Sequence, residues 1–246
     1  MKTKLQIQTT SASLHIMAMV FMLCDHLWAT VVPGNDWMTC VGRIAFPIFA
    51  FMAVEGYFRT KDLKKYVKRL AITAAITELP FNLMMGSSLF YPIHQNVIVT
   101  LLLGIAAIHL NEKAKKTGEP WKRILTGFGT VVFGALAGLL TMADYYQAGV
   151  LTMLVFYFFR GRKWWHFAGQ LACLYYINVE ILSGFAYEVT LFGETHFLVR
   201  QGFALLALIP IWLYRGERGH HSKTFRWICY SFYPVHMLLL GLIRML

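Results

Sequence analysis

The chain is built from successive apolar blocks, each about 17–22 residues long, the length a helix needs to cross a hydrocarbon core. These blocks predict nine helices, at 13–33, 40–58, 65–86, 93–111, 122–141, 144–160, 164–184, 197–214 and 225–244. The breaks between them are chemical. Pro33-Gly34-Asn35-Asp36 is a turn signal, and charged runs such as Arg160-Gly161-Arg162-Lys163 stop the apolar pattern. With 57% hydrophobic and 14% charged residues, and a mean hydropathy of +0.52, too few polar residues remain to cover a soluble domain. The many Trp, Tyr and Phe side chains suit the two membrane–water interfaces. The expected fold class is therefore all-α: a polytopic membrane bundle of about nine transmembrane helices, forming one domain over residues 1–246.

Charge sets the expected orientation. When sides alternate along nine spans, all but Arg43, Arg200 and Arg244 of the 23 Lys and Arg residues fall on one side. Cytoplasmic loops collect Lys and Arg, so this places the N-terminus in the cytoplasm and the C-terminus outside, in the inner membrane. The same rule accounts for the net charge of +11 without a nucleic-acid partner. Lys2 and Lys4 ahead of an apolar stretch resemble a signal peptide. The stretch is long and lacks a small-residue cleavage site, so it is expected to stay as the first helix.

Ionisable groups inside spans are costly and are functional candidates. Asp25 and His26 fall in the outer half of the first helix, and Arg43 opens the second from the same side. Glu78 and Asn82 stand one turn apart on the third. His94, Gln95 and Asn96 open the fourth, Asp144 the sixth, and Glu180 lies in the outer half of the seventh. His236 follows Tyr233-Pro234 near the middle of the last. Most of these groups share one layer between the bilayer middle and the outer surface, as a polar cavity would require. Glu55 is the exception, about 18 Å along the helix from Arg43, which argues against a direct pair.

Plainer roles are open to the same residues. Asp25 and Arg43 suit a structural ion pair, Glu78 an interhelical hydrogen bond, and His94 and Asp144 a wet interface. His15 and His109 lie among apolar residues near the inner side, as structural histidines do. His166 belongs with an interfacial belt, and His220-His221 with a solvated loop. Cys24 and Cys40 fall near one surface, which allows a disulfide. No cysteine spacing matches a metal site. His26 has the strongest functional case, because imidazole exchanges a proton near neutral pH. Asp25 points about 100° away from it and is expected to pair with another helix. No GxSxG or HExxH motif supports a hydrolase.

The chain resembles the TraX family nearly end to end. The resemblance is carried by the stretch from Leu14 to Cys24-Asp25-His26, by Gly42-Arg43-Ile44-Ala45-Phe46-Pro47, by Asn96-Val97-Ile98-Val99-Thr100-Leu101, by Asp144-Tyr145, and by Phe232-Tyr233-Pro234-Val235-His236. Tyr146 departs from it, since a Gly is expected after Asp-Tyr. The resemblance implies acetylation of conjugative pilin subunits, and kinship with membrane acyltransferases that take acetyl groups from cytoplasmic acetyl-CoA. On that basis His26 acts as general base or is transiently acetylated, Arg43 stabilises the oxyanion, and Asp25 supports them. Glu78, Asn96, Asp144, Tyr233 and His236 shape the cavity or bind the acceptor, which is a pilin amine, a glycan or a small molecule. Cytoplasmic Lys and Arg hold the phosphates of acetyl-CoA. Two rivals use the same residues: a transporter or channel for a small polar solute, and an assembly factor with no chemistry.

Overall fold

A computed structural model describes residues 8–220 and 222–245. Lys2, Lys4 and His221 therefore lie outside the described residues. The nine expected segments all have helical counterparts. They are α1 (Ser11–Thr30), α2 (Asp36–Gly42) with α3 (Ala45–Arg59), α4 (Leu63–Gly86), α5 (Val97–Lys116), α6 (Pro120–Leu140), α7 (Tyr146–Phe158), α8 (Trp164–Tyr175) with a π-helical extension Tyr176–Ile181, a 3₁₀ stretch Arg200–Ala207 leading into α9 (Leu208–Leu213), and α10 (Lys223–Arg244). Five of these are long and apolar enough to cross a membrane: α1, the joined Asp36–Arg59, α5, α6 and α10. Tyr146–Phe158 and Arg200–Leu213 are apolar but shorter. On α6 only Thr130 and Gly138 are buried, so nearly the whole of an apolar helix faces outward, as lipid contact demands.

Pro47 explains why the second expected helix is two. Its nitrogen has no proton and its ring crowds the carbonyl of Arg43, four residues back. The helix breaks at Arg43-Ile44 and restarts at Ala45, which leaves Arg43 at the junction.

The all-α expectation is corrected between α8 and α9. Ala186–Leu191 (β1) and Glu194–Val199 (β2) form an antiparallel hairpin, paired from Ala186↔Val199 to Leu191↔Glu194. Ser183 and Gly184 end the helical path with positive φ of 41° and 94°. Phe192 and Gly193, at φ 53° and 85°, make the two-residue turn, whose handedness matches strand twist. β-Branched Val189, Thr190, Thr195 and Val199 favour the extended chain on either side. The expected helix start at 197 thus lies in a strand.

Two apolar clusters hold the bundle. The larger joins α1, α3, α5 and α7 around Leu14, Ile48, Ile105, Val150 and Met153. The smaller joins α1, α4, α5 and α10 through Met22, Phe81, Ile98, Tyr233 and Met237. Thr10, Asp62 and Ser222 cap α1, α4 and α10 by accepting from the amides of Ser13, Lys65 and Phe225.

At the end of the bundle away from the hairpin, Glu55 takes hydrogen bonds from Arg59 (2.8 Å) and Arg160 (2.7 Å). Arg59 also donates to the Gly216 carbonyl, and Arg162 to that of Tyr214, so this group ties α3 to two loops. Glu55 and Arg43 form no pair. No disulfide joins Cys24 to Cys40, since both are free thiols, and Cys40 Sγ lies 3.4 Å from the Tyr187 hydroxyl on the hairpin.

Candidate functional site

His26 on α1 meets His236 on α10. Nδ1 of His26 lies 2.7 Å from Nε2 of His236, and the rings stack with centroids 5.0 Å apart. The proton positions follow from the acceptor at one end. Nδ1 of His236 lies 2.6 Å from the Phe232 carbonyl, which can only accept, so that nitrogen carries a proton. In neutral His236 the other nitrogen is then a lone pair, and His26 must donate to it through Nδ1. Nε2 of His26 is left unprotonated and has no partner among the described residues. A neutral histidine with one ring nitrogen unengaged and its tautomer fixed is the arrangement a general base needs.

Beside it, Arg43 Nη2 reaches both carboxylate oxygens of Asp25 at 2.5 Å, and its guanidinium also donates to Thr39 and, at 3.4 Å, to Gln201. Gln201 in turn donates to Asn178. Gly42 permits this approach, because a β-carbon there would overlap the Asp25 side chain. Asp25 therefore pairs with a second helix, as its orientation on α1 implied. Both partners are largely buried, and removing one would leave the other uncompensated at a cost of about 3 kcal/mol.

The remaining predicted residues fall into two groups. Asn96, fully buried, caps α5 by accepting from Ile98 N–H, while its amide donates to Glu78 (2.5 Å) and to the Ala74 carbonyl. Glu78 and Asn96 thus join α4 to α5. Asp144, in the turn before α7, takes His94 Nε2 at 3.2 Å and the Tyr145 amide at 3.1 Å. Tyr233 lies between the two groups. It lines a cavity beside Val97, and its ring is tilted against that of His236 with centroids 5.9 Å apart. His26 has Asp25, Arg43 and His236 as its charged and titratable neighbours, and Arg43 has Tyr145 and Asp144. The predicted residues thus stand as four pairs joining helices across the bundle: Asp25–Arg43, His26–His236, Glu78–Asn96 and His94–Asp144.

Several of their neighbours were not singled out beforehand. Gln201, Asn178, Thr39 and Tyr145 are ordinary in sequence. His94 has a buried side of its own, edge-on to Phe81 and stacked on Tyr146, and is more than the wet interfacial residue its position indicated. His15 and His109 bond to the Ser11 carbonyl and the Tyr57 hydroxyl. His166 is buried against Trp165. Glu180 lies in the π-helical extension, away from the paired residues.

A cavity of about 520 Å³ leads toward the histidines from the basic end. On α1 it is lined by Ser11, His15, Met19 and Met22; on α10 by Phe225, Cys229 and Phe232. These spacings of three and four define one face of each helix, and the next positions on those faces are His26 and His236. The cavity ends at Met22, Val97, Phe232 and Tyr233, one turn or about 6 Å short of the pair. Its mouth carries Lys61, Arg69, Arg218 and Arg226. None of its lining comes from the hairpin end. No group of three or more His, Cys, Asp or Glu side chains suited to a metal occurs among the described residues.

A family model described as TraX protein matches residues 10–244, which carry all of these pairs and the cavity. The chain belongs to the TraX family. It is also 25% identical, over 95% of both chains, to the probable fimbrial assembly protein FimC, serogroup H1, of Dichelobacter nodosus. No solved structure matches it.

Proposed function

We propose that this protein is a membrane acyltransferase that moves an acetyl group from cytoplasmic acetyl-CoA to an amine or hydroxyl acceptor, a pilin N-terminus being the acceptor its family membership favours. One observation carries the proposal: a basic-mouthed cavity stops one helical turn below a histidine whose free nitrogen is fixed by its partner. The relative named as a probable fimbrial assembly protein supports the link to pilus subunits.

The chemistry follows from the arrangement. The donor's thioester enters from the basic end and stops below His26. Nε2 of His26 takes the proton from the acceptor as its nitrogen or oxygen attacks the thioester carbonyl carbon. The new C–N or C–O bond forms, the carbonyl oxygen carries the charge, and Arg43 supplies a fixed positive field beside it. The intermediate collapses with loss of the C–S bond, and the thiolate takes the proton back from His26. His236 does not touch the substrate; it holds the tautomer of His26. A cavity open at one end suits a donor site better than a conduit, which would need lining from both ends.

Purified protein supplied with labelled acetyl-CoA and a peptide amine tests this. His26→Ala is expected to lower kcat by about 10³-fold. Unchanged transfer by the variant would remove His26 from the mechanism.

A further inference from the structure

The cations at the basic end are not equivalent. Arg59 and Arg160 share one carboxylate, Glu55, and Lys65, Lys115 and Lys122 each have a carboxylate partner. Lys61, Arg69, Arg218 and Arg226 have no ion-pair partner among the described residues, and all four line the mouth of the 520 Å³ cavity. They come from separate elements: the α3–α4 turn, α4, the α9–α10 loop and α10. The loop is fixed in place, because the Arg218 carbonyl accepts from Ala12 N–H (3.1 Å) and that of Glu217 from Ser11 N–H (2.8 Å) at the start of α1. Tyr66 and Tyr230 stand behind Arg69, within electrostatic reach of one another.

Topology alone explains basic residues at this end, several of which lack a carboxylate partner; what sets these four apart is that separate elements bring them around one opening. Like charges held around a shared mouth repel one another, and a multiply charged anion removes that repulsion. Below the mouth the cavity is lined by Met19, Met22, Phe49, Met52 and Phe232, and it follows α1 from Ser11 to Met22, about 16 Å. A ligand that fits has an anionic head and a slender, less polar arm.

We infer that Lys61, Arg69, Arg218 and Arg226 form a phosphate subsite that anchors the head of a phosphate-bearing ligand while its arm fills the cavity toward His26. The inference rests on the acyl-transfer reading only in taking that ligand to be the donor. An anionic phospholipid offers the same chemistry, so the test separates the two sources. Arg69 and Arg226 carry most of the anchoring, as guanidinium groups can each take two phosphate oxygens.

The experiment measures binding of CoA, dephospho-CoA and pantetheine to full-length protein in nanodiscs of phosphatidylcholine or of phosphatidylglycerol. CoA is expected to bind at least ~10-fold more tightly than dephospho-CoA, and pantetheine more weakly still. The double variant Arg69→Gln/Arg226→Gln is expected to bind CoA at least ~10-fold more weakly, with the salt dependence of binding reduced. Lys64→Gln/Lys68→Gln, on the same helix but outside the cavity, is the control for general charge loss and is expected to bind as wild type does. Equal CoA binding by wild type and the Arg69/Arg226 variant would overturn the subsite, even if wild type transfers acetyl groups. Phosphate-dependent binding lost in the variant, without acetyl transfer by wild type, would support the subsite and sink the acyl-transfer reading. If phosphatidylglycerol stabilises wild type but not the variant, and CoA has no effect, assignment of the ligand as donor is overturned.

Discussion

The protein holds two histidine pairs, and they solve the same problem differently. His26 donates to another imidazole, His236, which is itself fixed by the Phe232 carbonyl. His94 donates to a carboxylate, Asp144, which is also held by the Tyr145 amide. Each leaves the outer nitrogen of one histidine unprotonated. The partners differ in kind: a carboxylate for His94, a second imidazole for His26. On placement His26 is favoured. Neither His26 nor His94 lines the cavity, but the faces of α1 and α10 that do line it continue into His26 and His236. The difference in placement is what the proposed role of His26 rests on, and under that proposal His94–Asp144 suits the acceptor's side.

The sharpest way to break this comparison is to change His236. His236→Phe keeps an aromatic ring but offers no acceptor, so the His26 tautomer is no longer fixed. kcat is expected to fall about 100-fold, with little change in KM for the donor. His236→Gln restores an oxygen acceptor and is expected to recover about a factor of ten of that loss. Equal activities for the two variants would mean that His236 contributes packing and not proton placement.

How much of this was readable beforehand depends on the range of the interaction. The positions of the nine helical segments follow from block length and charge, both local properties. Asp25–Arg43 follows from two helices that enter from one side, since a charge in that layer has few partners. The break at Arg43 follows from Pro47, which stands inside the helix expected over 40–58. The His26–His236 bond joins residues 210 apart in sequence, and nothing along the chain encodes which faces α1 and α10 turn to each other. Helices that are apolar all round, such as α7, show little periodicity from which a face could be chosen. Of the hairpin, Phe197 and Leu198 fall in the helix expected over 197–214, while Tyr187, Val189 and Leu191 fall between two expected helices; only Ser183-Gly184 and Phe192-Gly193 mark its turns. The cavity itself was legible in part: the spacing of Ser11, His15, Met19, Met22 and His26 traces one face of α1, but only packing shows that this face is hollow.

A smaller effect is expected from the second pair. His94→Gln keeps a donor toward Asp144 and removes the free ring nitrogen. If His94 only positions the acceptor, KM for the acceptor rises about threefold and kcat stays within about threefold of wild type. A loss in kcat larger than that of His26→Ala would reverse the comparison and make His94 the base.

The smallest effect concerns the wall between the pairs. Tyr145 and Tyr146 both have left-handed backbone, at φ 63° and 45°, where a side chain costs about 1 kcal/mol. The family pattern of a Gly after Asp-Tyr falls on Tyr146, so a residue free of that cost is expected at a position that demands one. This chain carries the strain and gains a ring stacked on His94 at 6.0 Å. Tyr146→Gly relieves the strain, loses the ring and loosens the unfolded chain, and these terms oppose one another. The net change in stability is expected to be under about 1 kcal/mol, read as a Tm within about 4 °C of wild type. The visible consequence falls on His94, whose acceptor KM should shift in the direction seen for His94→Gln. A large fall in Tm would instead make Tyr146 a packing anchor. The strain would then serve the stability of the α6–α7 turn, and the case for His94–Asp144 as an acceptor-side pair would weaken.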